Sequence, residues 1–209
     1  MKRAATAKVF GCAAVLLSYP DDHFSDDLAS VSAAAAGLPA GRARTAISDT
    51  AAWLGRMTVM EAAAAYVDTF DLRKGTSLYL TYYRHGDTRE RGMALAALVD
   101  AYRGAGFAPV PGELPDFLPA LLELAATHPA GAALLAEQRP GIDALRAALD
   151  KAASPYTPVV AAVTDTLPSP SRADRDALER YRAQGPPTEA VGLEPFAPPE
   201  VLGQEAARR

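Results

Sequence analysis

The chain has 209 residues, 49% of them hydrophobic, with a net charge of −4 at pH 7 and a pI near 5.4. Alanine (46) and leucine (23) dominate the apolar set, while valine and isoleucine together number 14, which favours helices over any large sheet. The acidic balance counts against a nucleic-acid binder, and one cysteine with three histidines (His23, His85, His128) counts against a disulfide scaffold or a zinc or iron–sulfur site.

Lys2, Arg3 and Lys8 precede an apolar run, Val9 to Leu17, but no small-x-small cleavage site follows. The run reads as a first amphipathic core helix over 4–18, stopped at Tyr19-Pro20 because the residue before proline leaves the α region. No segment approaches the ~20 apolar residues of a membrane span, and a single cysteine suits a reducing cytoplasm. Asp21, Asp22 and Ser25 are capping candidates for a helix over 25–36. Gly37, Pro39 and Gly41 break the chain before a third helix over 42–55.

Over 57–73, Val59, Ala63, Tyr66, Val67 and Phe70 fall on one helical stripe, with Glu61, Asp68 and Asp71 opposite. The alternation in 77–83 permits a strand, but with no visible partner a short helix is expected. Asp87 and Glu90 read as a capping box opening a helix to about 103, with Leu95, Leu98, Val99 and Tyr102 inward and Gly104 and Gly106 ending it. Leu114, Phe117, Leu118, Leu121, Leu122 and Ala125 form the next stripe. Asp116 as its N-cap places Pro119 harmlessly in the first turn. Further helices are expected over 130–137, 141–153 and 156–166. Seven of the 17 prolines lie in 167–209, which reads as a mobile tail with one short helix near 172–183. The division is therefore a helical domain over 1–166 and a tail over 167–209.

No phosphate loop, dinucleotide fingerprint or nucleophile elbow occurs. His85-Gly86-Asp87 resembles a fragment of metal-dependent hydrolase motifs, but a catalytic metal needs more ligands than these. Cys12 sits in the apolar part of the first helix as a small core residue. Asp68 and Asp71 are a carboxylate pair at i, i+3, a spacing that more often marks a solvated face than acid–base work. By physics alone the chain is a soluble all-helical protein suited to binding rather than catalysis.

Several stretches form a recognisable series: Leu16-Leu-Ser-Tyr-Pro-Asp21, Tyr66-Val-Asp-Thr-Phe-Asp-Leu-Arg-Lys-Gly-Thr-Ser-Leu-Tyr-Leu80, His85-Gly-Asp-Thr-Arg-Glu-Arg-Gly92, Leu98-Val-Asp-Ala-Tyr102 and Glu113-Leu-Pro-Asp-Phe-Leu-Pro119. In this order they resemble the NarJ family, the molybdenum cofactor assembly chaperones of respiratory nitrate reductase. That family lies within the redox-enzyme maturation chaperones, which also serve dimethyl sulfoxide and trimethylamine oxide reductases. The resemblance spans roughly 10–150. It implies a single all-α domain, not an enzyme, that binds the N-terminal peptide of the nitrate reductase α subunit in the cytoplasm. The apo-subunit is held until molybdenum cofactor enters and is kept from premature membrane docking. The chaperone itself binds no cofactor or metal stably, handles the molybdenum cofactor only through its partner, binds no nucleic acid, does not insert in the membrane, and is a monomer or weak dimer.

A target peptide is then expected to lie as an amphipathic helix in an apolar groove. Glu61, Asp68 and Asp71 are candidates to attract its basic residues. Phe70, Leu78, Leu80, Tyr82 and Tyr83 are candidates for the apolar floor, with plain core as the alternative for Tyr66, Phe70 and Leu78 and the favoured reading for Phe70. His85, Arg89, Arg91, Glu113 and Asp116 complete the candidate set. The two arginines could clamp a carboxylate on the target or an internal one, Asp71 or Glu113. Tyr19, Pro20, Gly86, Asp87, Gly92, Tyr102, Pro115 and Pro119 read as structural members of the motif, with Gly86 at positive φ. The alternatives are a chaperone for another molybdoenzyme of the dimethyl sulfoxide/trimethylamine oxide reductase group, a small helical metal-dependent hydrolase using His85 and Asp87, and a transcription regulator, which the acidic charge disfavours.

Overall fold

The computed structural model describes residues 2–188, and eleven α-helices follow one another among them. Helix α1 (Lys2–Leu16) is central. Helices α2 (Phe24–Ala36), α3 (Arg42–Leu54), α7 (Leu118–Thr127) and α10 (Thr157–Thr166) all pack on it. A helix surrounded in this way is apolar on more than one face, and Val9, Phe10, Cys12, Ala13, Ala14 and Leu16 are all buried. Burial pushes the Cys12 thiol up, so it stays protonated as a small core residue.

A second group gathers on α9 (Arg139–Lys151), which meets α8 (Pro129–Glu137), α10, the short α5 (Thr81–His85) and α11 (Arg172–Gln184). Ile142, Leu145 and Leu149 form its buried stripe. Gly141 lets α9 approach the Leu80 backbone, since a Cβ there would stand 2.7 Å from the Leu80 carbonyl oxygen. Helix α6 (Arg89–Gly104) leans on α5 and buries Leu98 and Tyr102. Helix α4 (Val59–Tyr66) opens with a capping box in which Thr58 and Glu61 each accept the other's backbone N–H.

The structure departs from the sequence expectations at five places. The helix expected over 57–73 ends at Tyr66 and widens into a π turn, Val67–Asp71, where the Leu72 N–H reaches five residues back to the Val67 carbonyl at 3.0 Å. The wider turn seats Phe70 between Tyr66 and Tyr156, at ring separations of 5.0 and 4.7 Å; Val59, at the start of α4, is exposed. Segment 77–83 does find a strand-like partner: Tyr79 and Phe117 form an antiparallel bridge, with Leu80 N–H donating to the Asp116 carbonyl (3.1 Å) and Leu118 N–H to that of Leu78 (2.9 Å). Only Thr81–His85 is helical there.

Asp87 and Glu90 make no capping box. Thr88 precedes α6, and its hydroxyl donates to the His85 carbonyl at 2.7 Å. Asp116 does not cap α7 either: Phe117 occupies that position without a side-chain bond, and Leu114 is exposed rather than part of the buried stripe. The expected tail, 167–209, begins with packed residues, because Leu167 is buried and α11 rests on α9 and α5 through Leu178 and Tyr181. Its remainder, 189–209, lies outside the described residues. Among the described residues no helix is long and apolar enough to cross a membrane.

Candidate functional site

The motif stretches converge on one buried carboxylate. Asp116 has no exposed surface, and its Oδ2 accepts the Thr81 backbone N–H at 3.0 Å and the Thr81 hydroxyl at 2.5 Å. Arg91 Nε donates to the Thr81 oxygen at 3.3 Å, while its Nη2 lies 3.9 Å from Asp116. A buried carboxylate needs such donors, since its desolvation is otherwise unfavourable by several kcal/mol. Arg91 also pairs with Asp87 at 3.2 Å and lies over the Tyr82 ring at 6.0 Å. The arginine thereby ties α6 to both α5 and the 116–118 bridge.

Above this network lies a shallow cleft of about 280 Å³ lined by Phe70, Asp71, Lys74, Ser77, Tyr79, Tyr82, Asp87 and Arg91. Tyr79 donates its hydroxyl to Glu113 Oε1 at 3.0 Å, and the same oxygen accepts Leu114 N–H at 2.8 Å. Burial, then the bond to Glu113, pushes the Tyr79 phenol up to about 12. Glu113 also lines an adjoining groove of about 240 Å³ in which Phe107, Val110 and Leu114 expose apolar surface. The two depressions meet at the Tyr79–Glu113 pair: one bears carboxylates and phenols, the other is apolar with Glu113 and Glu123 at its edge. That pairing can accept an amphipathic segment carrying basic side chains. Among the described residues no group of three or more His, Cys, Asp or Glu side chains stands close enough together to hold a metal.

A family model described as "Nitrate reductase delta subunit" matches residues 36–162, which takes in every motif stretch from 66 to 119. The chain belongs to that family, the NarJ family. A Mycobacterium tuberculosis protein named nitrate reductase-like protein NarX is 46% identical over 160 residues, covering 76% of this chain and 24% of that protein. The Escherichia coli nitrate reductase molybdenum cofactor assembly chaperone NarJ is 34% identical over 146 residues, covering 68% and 61%. A Bacillus subtilis protein also named as a NarJ assembly chaperone is 37% identical over 120 residues, covering 56% and 64%. The chain thus spans about a quarter of the mycobacterial relative and under two thirds of each chaperone. Both NarJ relatives are named as molybdenum cofactor assembly chaperones.

Within the NarJ-family motif, the structure redistributes the expected binding residues. Asp71, Tyr82 and Arg91 line the cleft, and Glu113 borders it through Tyr79. Asp68 is exposed but pairs with Arg73 at 2.9 Å, and Glu61 closes the α4 cap, where the Thr58 N–H lowers its pKa. The expected acidic face thus reduces to Asp71 at the cleft, joined there by Asp87. Leu78, Leu80 and Tyr83 are buried at 2%, 1% and 3% exposure, and so form core rather than an accessible floor. Phe70 is also core, touching the cleft only from beneath. Asp116 is an internal anchor, not a contact surface.

His85 is half-buried, with Nδ1 3.6 Å from Glu90, and Arg89 opens α6 with its side chain exposed. Pro20, Gly86, Tyr102, Pro115 and Pro119 are buried as structural members, whereas Tyr19 is exposed and meets Tyr66 edge-on, and Gly92 is exposed on α6. Asp116 Oδ1 and the Tyr102 hydroxyl are buried without a hydrogen-bond partner among the described residues. Burial, then the Asp116 charge, pushes the Tyr102 phenol up to about 12.

Tyr79, Thr81, Lys74 and Ser77 escaped the sequence reading. A signal for Tyr79 existed: strand alternation in Leu78-Tyr79-Leu80 turns the leucines inward and the tyrosine outward. Thr81 had no such signal, because its partner lies 35 residues away.

Proposed function

We propose that this protein is a NarJ-type assembly chaperone that binds the N-terminal peptide of a respiratory nitrate reductase α subunit. It holds the apo-enzyme in the cytoplasm for molybdenum cofactor insertion and delays membrane docking. The observation that carries this reading is the convergence of the family motif, 79–117, on one cleft and groove within a NarJ-family chain. Basic residues of the target face Asp71, Asp87 and Glu113, and its apolar residues lie against Phe107, Val110 and Leu114. The chain works as a monomer or weak dimer and performs no catalysis. Molybdenum cofactor reaches the partner enzyme without a stable site on the chaperone.

Isothermal calorimetry of the full chain with the N-terminal peptide of its cognate α subunit tests the proposal. Saturable heat is expected, reduced by Asp71→Ala. No heat at high micromolar peptide overturns it. Tighter binding of a peptide from a dimethyl sulfoxide or trimethylamine oxide reductase would reassign the partner while keeping the chaperone role.

A further inference from the structure

The candidate cleft is walled by charges of both signs: Asp71 and Asp87 are acidic, Lys74 and Arg91 basic. One acid and one base are already matched. Arg91 pairs with Asp87 at 3.2 Å and is held further by the Thr81 hydroxyl at 3.3 Å and by Asp116, which leaves 19% of its side chain exposed. Its guanidinium is committed to the fold. Arg73, the residue before Lys74, pairs with Asp68 at 2.9 Å and does not line the cleft. Asp71 and Lys74 are the other pair of charges. Both are exposed, and neither makes an ion pair or a side-chain hydrogen bond among the described residues.

These two charges stand on a fixed backbone. Asp71 ends the π turn, and Lys74 opens a 3₁₀ turn, Lys74–Thr76. The buried Thr76 hydroxyl reaches back to the Thr69 carbonyl and lies 3.1 Å from that of Arg73. The Tyr83 hydroxyl lies 3.1 Å from the Gly75 carbonyl oxygen and 2.8 Å from that of Ser77. Helix α9 packs against the 3₁₀ turn. A ligand therefore meets both charges without the entropic cost of ordering the loop that carries them.

We propose that the cleft recognises a segment bearing an acidic side chain close to its basic ones, with Asp71 taking the basic residue and Lys74 the acidic one. The proposal rests on the chaperone reading of the same cleft and specifies the chemistry of its partner. A segment with basic residues alone meets Lys74 as a like charge, so the lysine discriminates against it. The net charge of −4 draws basic segments from a distance, and Lys74 then sorts among those that arrive. The two effects have opposite signs at position 74. General attraction of a basic partner strengthens when Lys74 is replaced by an acid, whereas local recognition weakens.

The test is calorimetry of the full chain and its Lys74→Gln and Lys74→Glu variants with the N-terminal peptide of the cognate α subunit. Melting verifies that both variants are folded, as expected for an exposed side chain. Lys74→Gln should weaken binding about threefold, the size of one exposed ion pair, and Lys74→Glu about tenfold, since repulsion is added. Each Asp or Glu of the peptide is then exchanged in turn for its amide. One such exchange should weaken binding to the natural chain and have no effect on the Lys74→Gln variant. The same peptide position changed to Lys should restore binding to Lys74→Glu. Unchanged or tighter binding by Lys74→Glu, or no peptide acid whose effect depends on Lys74, overturns the assignment. No binding of the peptide by the natural chain overturns the chaperone reading itself, which separates the two failures.

Discussion

Asp116 accepts both the N–H and the hydroxyl of Thr81, so a carboxylate before α7 holds the first turn of α5 from 35 residues away. Arg91 joins the pair from α6, so α5, α6 and the segment that enters α7 are tied together beneath the cleft. The cleft wall depends on this buried network, since removing one partner leaves buried donors or acceptors unmatched.

Asp116→Ala should therefore destabilise the fold rather than only the binding surface. It strands the Thr81 donors and leaves Arg91 half-neutralised, an expected loss of about 3 kcal/mol in unfolding free energy. Urea unfolding checks this. A midpoint unchanged from the natural protein would show the network to be dispensable.

Asp71→Ala should weaken partner-peptide binding severalfold with the melting temperature unchanged, because the side chain is exposed and lines the cleft. Asp68→Ala should leave binding unaltered, since that carboxylate pairs with Arg73 and does not line the cleft. Calorimetry on both variants separates a located contact from general acidic attraction.

Leu118→Ala should cost about 2–5 kcal/mol, the range for truncating a fully buried leucine. Its backbone N–H bonds to the Leu78 carbonyl, so local disorder should spread to 78–80. Hydrogen exchange of those amides is the readout. Protection retained at 78–80 would show that the bridge survives without the side chain.

Alkaline titration should resolve two tyrosine classes. The folded pKa values of Tyr79 and Tyr102, about 12, lie above the ordinary value of 10. A raised pKa contributes stability that is whole below pH 10 and is lost as pH rises through 12. Tyr79→Phe should thus reduce the alkaline sensitivity of unfolding and lose the bond to Glu113. A pH profile of stability indistinguishable from that of the natural protein between pH 10 and 12 would contradict this assignment.

The helices were largely legible because their determinants are local. Of the stripe expected over 114–125, the part from Leu118 to Ala125 is a buried face, the helix expected over 141–153 forms over Arg139–Lys151, and the helix expected near 172–183 forms over Arg172–Gln184. The cleft was only partly legible. Asp71, Tyr82, Arg91 and Glu113 were singled out and do border it, yet Leu78, Leu80 and Tyr83 had the same apolar or aromatic character and turned inward. Glu61, Asp68 and Asp71 lie on one face by helical arithmetic. A π turn after Tyr66 breaks that arithmetic, and only Asp71 lines the cleft.

By itself the sequence determined the all-helical class, most element positions and the resemblance to the NarJ family, since periodicity, breakers and motif order are properties of neighbouring residues. Tertiary structure alone decided that Asp116 is an anchor rather than a cap, that Tyr79 pairs with Phe117, and that residues 185–188 rest on Gly86. Each of these joins segments more than 30 residues apart, and such pairings depend on how the helices pack, which local spacing does not encode.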